Sequence, residues 1–338
     1  MPNSLSRSDI ASLLTEAAGC RIAVVGDAML DIYLLGEVDR ISPEAPVPVV
    51  RISERRLAPG GAANVAQNVA ALGAHPTLLA TIGRDENGRM LRGMLDSIGA
   101  GGASLVEIGR PTTTKTRVLA RLQQVVRFDE EEDSEIANEE LERVLAAVET
   151  VMSNADALIL EDYNKGLLVP AVIQRAITLA KGRSIPIVVD PKYRNFFAFK
   201  GTTVFKPNRR ELEAALGAAV DLDHPEALPE ALERLGVEHL LLTLGERGMV
   251  LAARSGSVQR IPTSAREVYD VVGAGDTVTA YLAAMLAAGA TPAQAAVIAN
   301  FAAGVEVGKL GAAAVSAAEV LAAYDDLAER ASPDSSAI

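Results

Sequence analysis

Short apolar runs alternate with stretches of helical periodicity along this chain, and that alternation constrains the fold more than any other feature. The runs are Arg21–Gly26, Leu78–Ile82, Ala157–Leu160, Ile185–Val189, Thr203–Phe205 and Leu240–Leu244; helical stretches between them include Asn64–Leu72, Glu139–Met152 and Pro170–Lys181. A strand that is apolar throughout has both faces covered, as in a parallel sheet between two helical layers. The predicted architecture is therefore α/β, a doubly wound, mainly parallel sheet flanked by helices.

Two segments break the alternation. Residues 35–58 hold Pro43, Pro46 and Pro48, with Pro59 just beyond, among Val and Ile; residues 112–128 are β-prone but polar. Proline confines a strand to a sheet edge, so these segments predict a small separate β-sheet that could cover a site as a lid. The run Asp129–Asp133 reads as a solvated, charge-rich loop before a helix. Residues 1–20 are expected to be a helical extension, 21–328 the main domain, and 329–338 a flexible tail.

With 338 residues the chain has room for one large domain or two smaller ones. Lys and Arg number 32 against 44 Asp and Glu, a net charge of −12, which argues against nucleic acid or an anionic membrane as partner. Cys20 is the sole cysteine, so no internal disulfide forms and a reducing cytoplasm is the expected setting. Asp9 and Glu16 interrupt the apolar stretch an export signal requires. Residues 277–305 carry no charge and are long enough to span a bilayer, but Gly289-Ala-Thr-Pro292 divides them. Thr291 suits an N-cap and Pro292 the first helical position, so two buried Ala-rich helices are expected.

Chemistry concentrates at Asp270-Val-Val-Gly-Ala-Gly-Asp-Thr277, directly before the charge-free stretch. Gly273, Ala274 and Gly275 at a helix start can turn successive N–H groups towards one point, an anion hole. Asp276 at the rim of such a pocket is unfavourable unless its carboxylate has a task, such as taking a proton from an attacking hydroxyl. The plain alternative is that Asp276 caps the helix and the glycines only turn the chain.

A second glycine-to-helix junction, Pro59-Gly-Gly-Ala-Ala-Asn64, leads into Leu78-Leu-Ala-Thr-Ile-Gly-Arg-Asp85. It resembles the first signature of the ribokinase (PfkB-type) family of sugar kinases, and Asp270–Ala283 resembles the second. Lys206-Pro-Asn-Arg-Arg-Glu211, Thr243-Leu-Gly-Glu-Arg-Gly248 and Gly26-Asp-Ala-Met-Leu-Asp31 are similar to three further family elements in the family's order. The resemblance spans residues 21 to 325 and implies a ribokinase-like fold with ATP as phosphoryl donor and Mg²⁺. It implies Asp276 as catalytic base, Asn208 and Glu211 organising Mg²⁺ through water, and Arg209, Arg210, Thr243, Gly245, Gly248 and Asn300 beside the nucleotide. Asp27, Asp31, Gly60, Gly61 and Asn64 would hold the sugar, and a homodimer would form through the lid. If a monovalent cation binds, the backbone of Asp270 and loop 308–313 are the candidates.

Other phosphate motifs fail: Gly304–Leu310 is one residue short of a Walker A loop, and Gly26 is followed by Asp27-Ala28-Met29 where a dinucleotide fingerprint needs G-x-G. His75, His224 and His239 lack metal-ligand spacing, and no G-x-S-x-G elbow is present. Within the family, Arg40–Val50, Gln123-Gln124, Glu161-Asp-Tyr-Asn-Lys-Gly166, Glu267–Val272 and Gly308-Lys-Leu-Gly311 resemble the kinases of D-glycero-β-D-manno-heptose 7-phosphate, enzymes of lipopolysaccharide precursor synthesis. A sugar phosphate needs cations: Lys115, Arg117, Arg121, Arg127, Lys165 and Lys192 are the candidates, with Arg121 and Lys192 put forward. Asp190 could orient Lys192, face Mg²⁺ or simply end a strand. No H-x-G-H nucleotidyltransferase motif follows, so a stand-alone kinase is expected. The rivals are a kinase of ribose, fructose or a hexose phosphate, and a non-catalytic sugar or nucleotide sensor.

Overall fold

The structure is a computed structural model and describes residues 5–331 apart from 102–103, 122, 222–227, 266–267 and 310. His224, Glu267, Leu310 and most of the expected tail therefore lie outside the described residues. From the N-terminus run α1 (Arg7–Ala17), β1 (Arg21–Gly26), β2 (Ala28–Ile41), β3 (Pro48–Gly61), α2 (Ala62–Leu72), β4 (His75–Gly83), α3 (Glu86–Ser97), β5 (Leu105–Ile108), β6 (Thr114–Ala120) and β7 (Gln123–Glu130). Then follow α4 (Asn138–Met152), β8 (Ala157–Glu161), α5 (Pro170–Gly182), β9 (Ile187–Asp190), β10 (Val204–Phe205), α6 (Arg209–Leu216) and α7 (Leu228–Leu235). The last elements are β11 (His239–Thr243), β12 (Met249–Ala253), β13 (Val258–Ile261), α8 (Ala274–Ala287), α9 (Pro292–Glu306) and α10 (Ala317–Ala331).

The main sheet has the order β13-β12-β11-β10-β9-β8-β1-β4-β5. It is parallel except for β12 and β13, which add antiparallel at one edge. The central strands are apolar because both faces are covered. In β1, Ile22 and Val24 face a cluster with α2, α8 and α9, while Ala23 and Val25 face one with α4 and α5. The doubly wound, mainly parallel expectation therefore holds.

Two excursions, between β1 and α2 and between β5 and α4, form a second sheet in the order β3-β2-β6-β7. Its pairs are antiparallel except β2 with β6. Pro48 and Pro59 sit on β3, an edge strand, where a missing N–H costs no ladder bond. The sheet starts at Ala28 and reaches Glu130, wider than the 35–58 and 112–128 read from composition. The acidic run is not merely solvated: Asp129 and Glu130 end β7, Glu131 pairs with Lys165 at 2.8 Å and Asp133 with Arg194 at 2.9 Å.

The charge-free stretch forms α8 and α9, with Thr291 as N-cap and Pro292 in the first turn. Among the described residues no helix is long and apolar enough to cross a membrane. Ile10, Leu14 and Ala17 of α1 are buried, and Arg7 bonds Asp325 of α10, so the N-terminal helix packs on the body. Helix α10 continues to Ala331, three residues past the expected end of the main domain at 328.

Candidate active site

The named acidic and basic residues gather at the C-terminal ends of the parallel strands, where an open α/β sheet presents its crevice. Gly26 ends β1, Glu161 ends β8, Asp190 ends β9, Lys206 follows β10 and Thr243 ends β11. Helix α8 begins above them, with Gly273 as N-cap at φ +100°. The N–H groups of a first helical turn have no partner within the helix, so residues 274–276 present donors here.

Asp276 does not cap that helix. It is buried, and its two carboxylate oxygens accept from different elements: Asn64 Nδ2 donates to Oδ2 at 2.8 Å and the Tyr163 hydroxyl to Oδ1 at 2.8 Å. Burial raises its pKa to about 6, against the pull of these two hydrogen bonds. Asn64 is itself fixed, since Asn68 Nδ2 donates to its backbone and side-chain oxygens at 3.1 and 3.2 Å. Asn68 Oδ1 in turn accepts from the Thr277 hydroxyl at 3.3 Å and the Val315 N–H at 3.2 Å. The two glycine-to-helix junctions thus meet across one buried amide network.

Beneath Asp276 lies an acidic cluster. One oxygen each of Glu161, Asp190 and Asp276 falls within 4.8 Å of the others, and all three residues are buried. Lys206 Nζ donates to Asp190 Oδ2 at 2.7 Å. Burial opposes its charge, but attraction to Asp190 and Glu161 outweighs this and raises its pKa. Neither carboxylate oxygen of Glu161 has a hydrogen-bond donor. Burial, then repulsion from Asp190 and Asp276, pushes its pKa well above the usual carboxylate range. A buried, donorless carboxylate beside two others fits a hard divalent cation, whose preferred ligands are oxygens.

The remaining candidates divide. Gly60 and Gly61 are required sterically: a Cβ on Gly60 would lie 2.8 Å from Asp31 Oδ2, and one on Gly61 would lie 2.5 Å from the Asp27 carbonyl oxygen at φ +57°. Asp31 is buried and paired with Arg117 at 2.7 Å. Asp27 has structural work, because its carboxylate accepts the N–H groups of Tyr163, Lys165 and Leu167. Asn208 and Glu211 form a reciprocal capping box on α6, and Glu211 also bonds Lys192. Asp190 meets Lys206 where orientation of Lys192 was one expectation. Arg209 pairs with Glu213, and Arg210 is exposed. Thr243, Gly245 and Gly248 surround the turn after β11, while the Asn300 side chain donates to the Pro262 carbonyl at 2.9 Å.

Arg121 does not join the site. It is exposed in the β6–β7 turn, six residues beyond Lys115, or roughly 20 Å along an extended strand. Lys115, by contrast, stands 5.1 Å from the Tyr163 ring centroid, and Lys192 stands 5.2 Å from it. Sequence reasoning assigned no role to Glu161, Tyr163 or Lys206. The strand-end acid of Glu161-Asp162 and the lysine preceding Pro207-Asn208 were the available signals. His239 Nδ1 lies 3.1 Å from the Thr203 carbonyl and His75 is exposed, consistent with structural roles.

The pfkB family carbohydrate kinase model matches residues 20–319. The bifunctional protein HldE of Gluconacetobacter diazotrophicus is 46% identical over 89% of this chain, that of Citrifermentans bemidjiense 44% over 94%, and that of Caulobacter vibrioides 45% over 93%. The chain spans 63%, 66% and 65% of the length of these three relatives. Arabidopsis thaliana ribokinase complexed with ribose and ATP superposes with a TM-score of 0.71 at 20% identity, covering 90% of this chain and 98% of that one. Escherichia coli phosphofructokinase-2 with substrates and products gives 0.77 at 20%, covering 91% and 99%. The chain belongs to the pfkB family of carbohydrate kinases, ATP-dependent sugar kinases with the ribokinase-like fold.

Proposed function

We propose that the chain transfers the γ-phosphoryl group of ATP to the anomeric O1 of D-glycero-β-D-manno-heptose 7-phosphate, a step towards the ADP-heptose used in lipopolysaccharide. The observation that carries the reading is the buried Asp276 carboxylate, held by Asn64 and Tyr163 at the first turn of α8; Asn64, Asp31, Gly60 and Gly61 are the residues we assign to the sugar. Motif resemblance and similarity to HldE proteins favour the heptose over other sugars.

In this scheme Asp276 takes the proton of the O1 hydroxyl as that oxygen bonds to the γ-phosphorus. The bond from phosphorus to the β,γ-bridging oxygen breaks and ADP departs. We assign the N–H groups of Gly273, Ala274 and Gly275 to the negative charge that grows on the phosphoryl oxygens. Asn64 holds the base in place, and Asp31 with Arg117 orients the sugar ring. Mg²⁺, when bound, would neutralise phosphate charge; Glu161 and Asp190 are the residues we assign to hold it, with Asn208 and Glu211 acting at most through water. For the sugar phosphate, Lys115 replaces Arg121 as the favoured cation: Arg117, Lys165, Lys192 and Arg127 all have carboxylate partners. A homodimer through the second sheet is supported by the exposed Ile41, Val47, Ile52, Val126 and Phe128, all on that sheet or its turn. We place the reaction in the cytoplasm, where ATP is supplied.

The test is ADP release from ATP and Mg²⁺ over a panel of heptose 7-phosphate, ribose, fructose and fructose 6-phosphate. The highest kcat/KM is expected for heptose 7-phosphate. Preference for another sugar would replace the substrate, and ATP binding with no transfer to any sugar would leave a sensor.

A further inference from the structure

Tyr163 takes no part in the scheme above, yet it touches the base and is anchored by three other parts of the fold. Its backbone is fixed from below, because Asp27 accepts its N–H at 2.9 Å and those of Lys165 and Leu167 at 2.9 and 3.2 Å. The ring rests against Gly61, where an added Cβ would lie 3.4 Å from Tyr163 Cδ2. Ammonium groups stand 5.1 and 5.2 Å from its centroid, Lys115 from the second sheet and Lys192 from the end of β9. Cations at this range are attracted to the face of an aromatic ring and hold it in place. That hydroxyl donates to Asp276 Oδ1 at 2.8 Å while Asn64 donates to Oδ2 at 2.8 Å.

The terminal torsion of an aspartate is soft and broad, so a carboxylate held by one donor swings while one held at both oxygens does not. We propose that Tyr163 is a positioning residue for phosphoryl transfer: with Asn64 it clamps the Asp276 carboxylate so that its remaining lone pairs face the sugar hydroxyl in one orientation. This rests on Asp276 being the base, as proposed above. Misplacement of a reacting group by about 1 Å costs about a hundredfold in rate. Tyr163→Phe, which keeps the ring between its lysines and removes the clamp, should therefore lower kcat about ten- to hundredfold with KM for ATP and sugar changed less than about twofold.

A double-mutant cycle tests this, run on whichever sugar of the panel the unaltered enzyme turns over fastest, so that a wrong substrate does not count against it. Tyr163→Phe, Asp276→Asn and the double variant are compared for kcat, KM and melting temperature. Because Tyr163 acts through Asp276, its substitution should lose the effect on residual turnover once Asp276→Asn is present. An equal fold loss in both backgrounds, or normal kcat in Tyr163→Phe, would overturn the proposal. Near-normal turnover in Asp276→Asn would instead remove the base on which it rests. Should the Phe variant fold poorly, 3-fluorotyrosine at position 163 supplies the second arm: it retains the hydroxyl and should keep kcat within about threefold, whereas a loss matching Asn64→Ala would contradict the clamp.

Discussion

Lys206→Met removes a buried ammonium while keeping much of its aliphatic bulk. Lys206 is 3% exposed, and its Nζ lies 2.7 Å from Asp190 Oδ2. Glu161 beside it is 0% exposed and has no donor on either oxygen. With the ammonium gone, the buried carboxylates Asp190, Glu161 and Asp276 confront one another without a compensating charge. Removing one partner of a buried pair strands the other charge at a cost of about 3–5 kcal/mol, a large share of the roughly 5–15 kcal/mol that holds a domain folded. The loss depends on pH. Burial already raises the folded-state pKa values of Glu161 and Asp276, and losing the Lys206 ammonium that pulls them down raises them further, so the folded state binds protons more tightly. Stability then falls as pH rises, and the deficit is larger near about pH 8 than near about pH 5.5. Millimolar Mg²⁺ should restore part of it, since a divalent cation replaces the missing charge. Urea denaturation followed by far-UV circular dichroism suits a chain without Trp. A deficit under about 1 kcal/mol near pH 8, or one independent of pH, would refute the reasoning about this cluster.

Turnover should fall about tenfold per pH unit below about pH 6, where Asp276 gains the proton that prevents it from acting as base; kcat measured across pH checks this. Glu306 is buried, and burial, then repulsion from Asp270 and Asp276, raises its pKa to about 8. Its folded-state pKa exceeds the unfolded one, so its contribution is favourable at acid pH and is lost as pH rises through about 8; Glu306→Gln should raise the melting temperature more near about pH 9 than near about pH 5. Gly61→Ala should destabilise the chain by about 1–3 kcal/mol, from its positive φ and the close Asp27 carbonyl, as thermal unfolding would show.

The strands of the main sheet and the helix pair were legible because they rest on local patterns: apolar runs for β1, β4, β8 and β11, and a Thr-Pro start for α9. The Gly-Ala-Gly-Asp turn pointed to Asp276 for the same reason. What stayed hidden depends on chain segments far apart. Tyr163 meets Asp276 across 113 residues, and Asn64 meets it across 212, so neither bond has a local signature. Arg121 and Lys115 look alike in sequence, but the pairing of β6 with β2 sets Lys115 opposite Asp31 and carries Arg121 past the far end. Asn208 and Glu211 satisfy two readings of one spacing, since a residue pair three apart that can approach a cation also closes a capping box. The edge strands β12 and β13 were not read, because both are short and Gln259 and Arg260 break any apolar pattern in β13.

The central claim is that Asp276 is the general base, and Asp276→Asn tests it most directly. The substitution keeps the size of the side chain and removes its ability to take a proton. Steady-state turnover with ATP and the preferred sugar should fall about 10²- to 10⁴-fold, while the Kd for ATP by calorimetry stays within about twofold. Near-normal turnover with intact ATP binding would contradict the account.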